Sequence, residues 1–182
     1  MSKRAILVVD LQNDYFPSGK WPLVGIEAAA ANAARVLSAA RSDGDPIIHI
    51  RHEFTSQDAP FFAPRSQGAE INPVVRPIEG EPVILKNHAN AFLHTALKQV
   101  LDEKSIEEVV IVGAMSHMCI DATSRAAADF GYKTIILQDA CATRDLAFGE
   151  VKVPAAQVHA AFMSALAAGY GTVTTASDYL SR

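Results

Sequence analysis

The hydrophobic residues of this chain gather in short runs that are apolar at successive positions rather than at every second position. Continuous apolar runs are typical of strands that are covered on both faces, as in a parallel sheet. Five clear runs and one weaker, final run predict six strands, at 5–10, 46–51, 83–86, 108–113, 133–139 and 172–176.

Alanine-rich segments with a helical period separate most of these runs. They predict helices at 26–42, 91–103, 118–130 and 155–168. Gly44, Gly131 and Gly169 stand where a left-handed residue commonly ends a helix, and Pro154 suits the first turn of the last helix. The alternation of strand and helix predicts an α/β fold, a three-layer α/β/α Rossmann-like sandwich with right-handed crossovers.

The segment 53–82 departs from this alternation. It has little periodicity and contains prolines at positions 60, 64, 73, 77 and 82. A connection of this length without its own regular structure usually serves as a binding loop or a lid. We therefore expect it to contribute to a ligand pocket.

Length and composition narrow the class of protein. A chain of 182 residues predicts a single domain, 1–182, and 49% hydrophobic with 20% charged residues is enough for a core without disulfides or a structural metal. The net charge is -4 and the Lys and Arg residues are scattered, so no nucleic-acid partner is expected. The apolar runs are too short for a bilayer span or a secretory signal, which predicts a cytoplasmic protein without a membrane partner.

Three groups with complementary chemistry follow predicted strands. Asp10 ends the first run, Lys86 ends the third, and Cys119 comes six residues after the fourth. Ligands of open α/β sheets bind beyond the carboxyl ends of the strands. We therefore expect the carboxylate, the ammonium and the thiol at one edge of the sheet.

These groups suit a nucleophilic site. A nearby cation or a helix N-terminus lowers the pKa of a thiol, and Ser116 as the N-cap would place Cys119 at the third helical position. Lys86 would supply the charge, while Asp10 would take the thiol proton and later return it to a leaving group. The alternative is that Cys119 is an ordinary core residue, Asp10 a loop cap and Lys86 a surface charge.

Three segments carry a family resemblance: "AILVVDLQNDYF" (5–16), "VILKNHANAF" (83–92) and "IVGAMSHMCIDATSRAAADFGYKTIILQDACAT" (111–143). They resemble the signature segments of the isochorismatase-like, or cysteine hydrolase, superfamily, which includes nicotinamidases and carbamoyl amidases. The resemblance spans nearly the whole chain. It implies a six-stranded parallel sheet in the order 3-2-1-4-5-6, with Asp10, Lys86 and Cys119 as the catalytic triad.

The resemblance also implies a non-proline cis peptide at Ala114–Met115, and an oxyanion hole formed by the main-chain N–H groups of Met115 and Cys119. One geometric question follows from the implied strand order. The third strand would lie two strand spacings, about 9 to 10 Å, from the first. Lys86 must therefore reach across the sheet, or its strand must splay.

Members that cleave the vinyl ether of isochorismate generally lack the cysteine. Its presence here favours a cysteine-dependent hydrolase that cleaves a C–N bond of a small-molecule amide or carbamoyl substrate through a thioester. Two alternatives stay open: a vinyl-ether or ester hydrolase with the same triad, and a non-enzymatic oligomeric domain whose thiol senses oxidants. The resemblance further implies a homo-oligomer, a dimer or a tetramer.

No metal or other cofactor is expected. The nicotinamidase branch carries an Asp-x-His pair after the second strand, whereas this region reads "IIHIRHEF" (47–54). His49 and His52 are three residues apart, so on a strand they point to opposite faces. Nicotinamide is accordingly a less favoured substrate.

Six further residues are predicted to bind the substrate: Phe16, Trp21, Arg51, His52, His117 and Met118. The two aromatic residues could form a pocket wall, and the Arg–His pair could bind a substrate carboxylate. The His–Met pair beside the nucleophile faces either the pocket or a neighbouring subunit. Ordinary packing or a solvated strand end is the alternative for each.

Two more residues near these motifs are assigned structural roles. Gln12 is expected to order the loop around Asp10. Cys141 has no obvious base or cation near it in the sequence pattern, so it is interpreted as a structural thiol.

Overall fold

The computed structural model describes residues 3–181. Its strands are β1 Arg4–Val9, β2 Ile47–His52, β3 Val83–Lys86, β4 Glu108–Ala114, β5 Lys133–Ala142, β6 Leu146–Phe148, β7 Val151–Val153 and β8 Thr172–Thr174. Six of them form one sheet in the order β3-β2-β1-β4-β5-β8, and every pair in it is parallel. The predicted order is confirmed, since β8 is the sixth strand of this sheet.

Helices cover both faces of the sheet: α1 Ile26–Asp43, α2 Leu97–Glu103, α3 Asp121–Asp129, α4 Ala155–Gly169 and α5 Ala176–Leu180. Alternate residues of each central strand enter two apolar clusters. On one face Ile6 and Val8 join residues of α1 and α5, and on the other Leu7 and Val9 join residues of α2, α3 and α4. These clusters make the three predicted layers. No described helix is both long enough and apolar enough to cross a membrane.

Helix α2 begins at Leu97, six residues later than the periodicity predicted. The Asn90 side chain accepts a hydrogen bond from the main-chain N–H of Phe92 (2.9 Å), and the Thr95 side chain accepts one from Leu97 (3.2 Å). His94 adopts a left-handed conformation with φ 56°. Side-chain bonds of this kind compete with helical main-chain bonds, so the segment forms turns instead.

The end of the chain differs from the prediction in three details. The antiparallel hairpin β6–β7, with Gly149 in its turn, was not foreseen because each of its strands has only three residues. Strand β8 ends at Thr174, since the Thr175 side chain caps α5 by accepting from the Asp178 N–H (3.0 Å). Gly169 is the last residue of α4 and is not left-handed, whereas Gly44 (φ 73°) and Gly131 (φ 89°) are.

The segment 53–82 contains two 3-10 turns, Gln67–Ala69 and Pro73–Val75, but no α-helix or strand. It returns to the end of β1, where the Asn13 N–H donates to the Glu70 carbonyl (3.0 Å) and the Asn72 N–H donates to the Leu11 carbonyl (2.9 Å). The loop is therefore fastened at the carboxyl edge of the sheet.

Candidate active site

Asp10 lies at the carboxyl end of β1, in the centre of the sheet. It is fully buried, and its φ of 53° places it in the left-handed region, where a non-glycine residue is strained. The neighbouring strand β4 comes very close at this point, because a Cβ atom on Gly113 would overlap the Val9 carbonyl oxygen. A glycine in β4 thus permits the tight packing that surrounds the carboxylate.

Lys86 reaches this carboxylate from the end of β3. Its Nζ lies 2.8 Å from Asp10 Oδ2, 3.3 Å from Cys119 Sγ and 2.9 Å from His52 Nδ1, and its side chain is completely buried. Strands β2 and β3 pair in regular register up to His52 and Lys86. The long side chain therefore spans the width of β2, and the strand does not splay.

Cys119 lies in a π-helical turn, Ser116–Ile120, that leads into α3. The prediction that Ser116 caps this helix is wrong: the N-cap is Met115, and no side chain caps the turn. The Ser116 hydroxyl lies instead 2.8 Å from His159 Nδ1 and 3.3 Å from the Ala142 carbonyl. The wider π turn carries the sulfur to Lys86, and such turns recur at functional sites.

A cis peptide joins Ala114 to Met115, directly before this turn. The Met115 carbonyl accepts hydrogen bonds from Met118 (3.0 Å) and Ile120 (3.2 Å). Within residues 3–181 no main-chain carbonyl accepts from the Met115 N–H. That N–H can therefore donate to a ligand beside the thiol.

The electrostatics of the thiol differ from those expected. Burial raises the pKa of Cys119, the Asp10 carboxylate raises it further, and Lys86 lowers it without compensating. The resulting pKa lies well above its ordinary value, although the sequence predicted a lowered one. The thiol is consequently protonated in the free site, and its proton must leave as the sulfur attacks.

Aromatic side chains form a wall that meets the site at the ring of His52, which packs on Phe54 and lies near Phe62. Trp21 stacks on Phe61 at 4.7 Å between ring centroids, and Phe61 meets Phe54 (5.1 Å) and Phe62 (5.0 Å). Tyr15 packs on Phe62 at 4.5 Å. The pair at 61 and 62 belongs to the 53–82 loop, so the predicted binding loop supplies part of this wall.

Asp14 fastens the two loops that carry the wall. Its buried carboxylate accepts hydrogen bonds from the main-chain N–H groups of Phe62 (2.7 Å) and Lys20 (3.1 Å). Gly68 packs directly against it, where a Cβ would overlap the carboxylate. Sequence reasoning missed this role, although Asp14 lies in the quoted "DLQND" segment.

Arg144 is a second residue that the sequence did not indicate. Its guanidinium lies 4.2 Å from the centroid of the Trp21 ring, and its Nε donates to the Asp145 carbonyl (3.3 Å). None of the described salt bridges involves it. Both residues line a surface cavity of about 340 Å³. An available cation therefore borders the aromatic wall.

Four of the six residues that were predicted to bind the substrate do not line one common pocket. Phe16 is buried in the core, and Arg51 points to the opposite face of β2 from His52, where it pairs with Glu53 at 3.1 Å. His52 faces Lys86 rather than solvent. His117 is half-buried, with Nδ1 2.6 Å from Thr143 Oγ1.

The other two predicted residues lie nearer to solvent. Trp21 is part of the aromatic wall described above, and Met118 is 45% exposed. Arg51 and His52 cannot act together on one carboxylate, because successive residues of a strand point apart.

Gln12 orders the end of β2. Its Nε2 donates to the carbonyls of His52 and Ala69 (2.8 Å each), and its Oε1 accepts from the His52 N–H (2.8 Å). Cys141 lies buried beside Gly113 in the β4–β5 pair, and burial is the main cause that raises its pKa to about 12. Its surroundings are those of a structural thiol.

The region that binds metal in nicotinamidases is also described by the structure. His49 lies on β2 with its Nε2 2.9 Å from Glu81 Oε2, on the face opposite to His52. Within residues 3–181, no group of three or more His, Cys, Asp or Glu side chains is arranged to hold a metal ion.

Comparison with known proteins identifies the family of this chain. The model of the isochorismatase domain matches residues 4–178. The chain belongs to the isochorismatase family. It is 48% identical to the isochorismatase family protein YddQ of Bacillus subtilis (strain 168), over 97% of this chain and 98% of that protein.

An enzyme and a solved structure show the range of this family. The chain is 29% identical to the maleamate amidohydrolase of Pseudomonas putida KT2440, over 97% of this chain and 84% of that enzyme. A crystal structure of an isochorismatase hydrolase-type protein from Oleispira antarctica superposes with a TM-score of 0.96 at 53% identity, over 98% of this chain and 96% of that one. The chain is therefore an isochorismatase-family hydrolase, and its family includes amidohydrolases.

Proposed function

We propose that this isochorismatase-family hydrolase cleaves a C–N bond of a small-molecule amide or carbamoyl compound through a thioester on Cys119. The observation that carries the proposal is the position of one buried ammonium, with Lys86 Nζ 2.8 Å from Asp10 Oδ2 and 3.3 Å from Cys119 Sγ. A base, a nucleophile and a cation are thereby in mutual reach, the arrangement that activates a thiol.

The first half of the reaction forms the thioester. Asp10 takes the proton from Cys119 as the sulfur attacks the amide carbon and the carbonyl oxygen becomes an oxyanion. The protonated Asp10 then gives this proton to the departing nitrogen. The C–N bond breaks, ammonia or an amine leaves, and the acyl group stays on the sulfur.

The second half of the reaction hydrolyses the thioester. Asp10 takes a proton from water as the hydroxide attacks the thioester carbon, and returns it to the departing sulfur. The products are a carboxylic acid and the free thiol, so one water is consumed for each amide bond. Lys86 stabilises negative charge on sulfur in both halves, while the N–H groups of Met115 and Cys119 donate to the oxyanion.

Arg144 indicates the class of substrate. A guanidinium binds a carboxylate with two parallel hydrogen bonds, and this one lies on the Trp21 ring at the edge of the aromatic wall. Maleamate, for which one relative is named, is an amide that also carries a carboxylate. We therefore expect a small anionic amide.

The test is ammonia release from a panel of amides, ureides and carbamoyl compounds, each with and without a carboxylate. Cys119→Ala is expected to abolish turnover, and Cys141→Ala, which removes the other thiol, is expected to retain it. If Cys119→Ala hydrolysed the best substrate at the wild-type rate, the thioester mechanism would be wrong. Turnover of an ester or vinyl ether without release of nitrogen would favour the alternative chemistry.

A further inference from the structure

The ammonium of Lys86 has three hydrogens, and three groups lie within 3.3 Å of its nitrogen. Two of these groups react: Asp10 Oδ2, an ion-pair partner at 2.8 Å, and Cys119 Sγ, which accepts a hydrogen bond at 3.3 Å. The third is Nδ1 of His52, 2.9 Å away. An ammonium can only donate, so Nδ1 must be the acceptor and the proton of a neutral ring must sit on Nε2.

His52 is held firmly in this position. Both of its main-chain polar groups bond to the buried Gln12 side chain, at 2.8 Å each. Its ring packs edge-on against Phe54 (4.9 Å between centroids) and near Phe62 (6.2 Å). The acceptor therefore has little freedom to follow a moving lysine.

We propose that His52 is a positioning residue of the reaction: it fixes the rotation of the Lys86 ammonium so that the two remaining N–H bonds point at Asp10 and the Cys119 sulfur. This inference rests on the proposed function and adds a fourth residue to its machinery. Lys86 crosses the full width of β2 to reach the carboxylate, and His52 is its register partner on that strand. A long, flexible side chain is thereby given a fixed end point.

The charge state of His52 agrees with this role. Burial, and after it the Lys86 charge, lower the pKa of His52 to about 4, although Asp10 and the main chain of His88 act in the opposite direction. These are the charged and titratable groups that face the ring, from β3, from the end of β1 and from the loop after β3. A neutral imidazole accepts from Lys86, whereas an imidazolium would repel it.

The test compares two substitutions. His52→Asn keeps an acceptor oxygen close to the place of Nδ1, and His52→Leu removes the acceptor but keeps a similar volume. His49→Asn is the matched control, because it removes another buried histidine of β2 that bonds Glu81 instead of the site. If His52→Leu does not fold, His52→Gln takes its place, since its longer side chain carries the amide beyond the position of Nδ1.

The primary readout needs no substrate: the rate at which iodoacetamide alkylates Cys119, measured against pH by mass spectrometry of the Cys119 peptide. Loss of a hydrogen bond to a charged group predicts alkylation slower by about 10-fold or more at pH 8 in His52→Leu, with substantial recovery in His52→Asn. With an amide substrate, kcat should fall in the same order while KM changes little.

Unchanged alkylation in a folded His52→Leu protein would overturn the proposal, as would equal losses in the Leu and Asn variants. An effect of the same size in His49→Asn would also overturn it. Failure of the amidase mechanism gives a different result, in which the alkylation rates follow the predicted order but no amide is hydrolysed.

Discussion

Breaking the buried ion pair at the centre of the site should destabilise the whole fold. The side chains of Lys86 and Asp10 are both fully buried, and their charged atoms are 2.8 Å apart. Lys86→Met removes the cation and leaves a carboxylate without its partner in the interior. Removing one member of a buried pair costs about 3 to 5 kcal/mol of folding free energy. This loss is a large part of the stability of an ordinary domain, so it is readily measured.

The double variant shows whether the broken ion pair is the cause of the lost stability. Asp10→Asn removes the charge while keeping the shape, so Asp10→Asn combined with Lys86→Met leaves no unpaired charge in the interior. The coupling between the two substitutions should therefore be about 2 to 3 kcal/mol, measured by urea unfolding with circular dichroism at pH 7. Lys98→Met, which breaks an exposed pair with Asp102, should give no measurable change.

Two results would refute this reasoning. One is additivity of the two substitutions to within about 0.5 kcal/mol, which would mean that the groups do not interact. The other is a Lys86→Met protein as stable as the wild type, which would mean that the carboxylate is not left unpaired in a dry interior.

Three further outcomes are expected. Folding lowers the pKa of His52 from 6.5 to about 4, so the contribution of the neutral His52 ring to stability is complete above pH 6.5 and is lost as the pH falls towards 4. The free energy of unfolding in urea should therefore fall by about 3 kcal/mol across this window, and by less in His52→Asn. Arg144→Gln should raise KM for carboxylate-bearing amides about 10-fold or more, with little change for neutral amides. Gly113→Ala should lower the melting temperature far more than Gly80→Ala, since both positions have positive φ but only an alanine at 113 would overlap the Val9 carbonyl.

Each of these has a contrary result. If the unfolding free energy of the wild type fell with pH no more than that of His52→Asn, folding would not lower the pKa of this histidine. Equal KM changes for charged and neutral amides would remove Arg144 from substrate selection. Equal melting temperatures in the two glycine variants would show that β4 can move away from β1.

The strand ends were predictable because burial on both faces leaves an unmistakable apolar pattern. Asp10 and Lys86 end such runs, and parallel strands bring their carboxyl ends to one edge, so two of the three central groups could be placed from pattern alone. Cys119 follows at a short distance. The lack of a base or cation near Cys141, together with the family resemblance, distinguished Cys119 from the other buried thiol.

Contacts that depend on side-chain reach were not predictable. Nothing in "IIHIRHEF" shows that His52 would receive a hydrogen bond from a lysine, because that contact requires the register of β2 against β3. Ser116 was assigned as a cap from its residue type, whereas its position beside α4 lets it contact His159. Arg144 covers the ring of Trp21, and a contact between residues so far apart in the chain leaves no local sequence pattern.

The raised pKa of the thiol shows a different limit. A cation and a helix start near a cysteine both favour the thiolate, and the sequence supplied both. The degree of burial and the distance to the Asp10 carboxylate were unknown, and these two causes outweigh Lys86 in the folded protein. Sequence patterns identify the groups of such a site but not the balance of their charges.

The most direct test of the central claim is to trap the covalent intermediate. The wild-type protein is mixed with its best amide substrate, quenched in acid within milliseconds and digested for mass spectrometry. The expected result is an acyl mass on the Cys119 peptide, accompanied by a burst of ammonia equal to the enzyme concentration. Rapid ammonia release with an unmodified Cys119 peptide, or with the acyl group on Cys141, would contradict it.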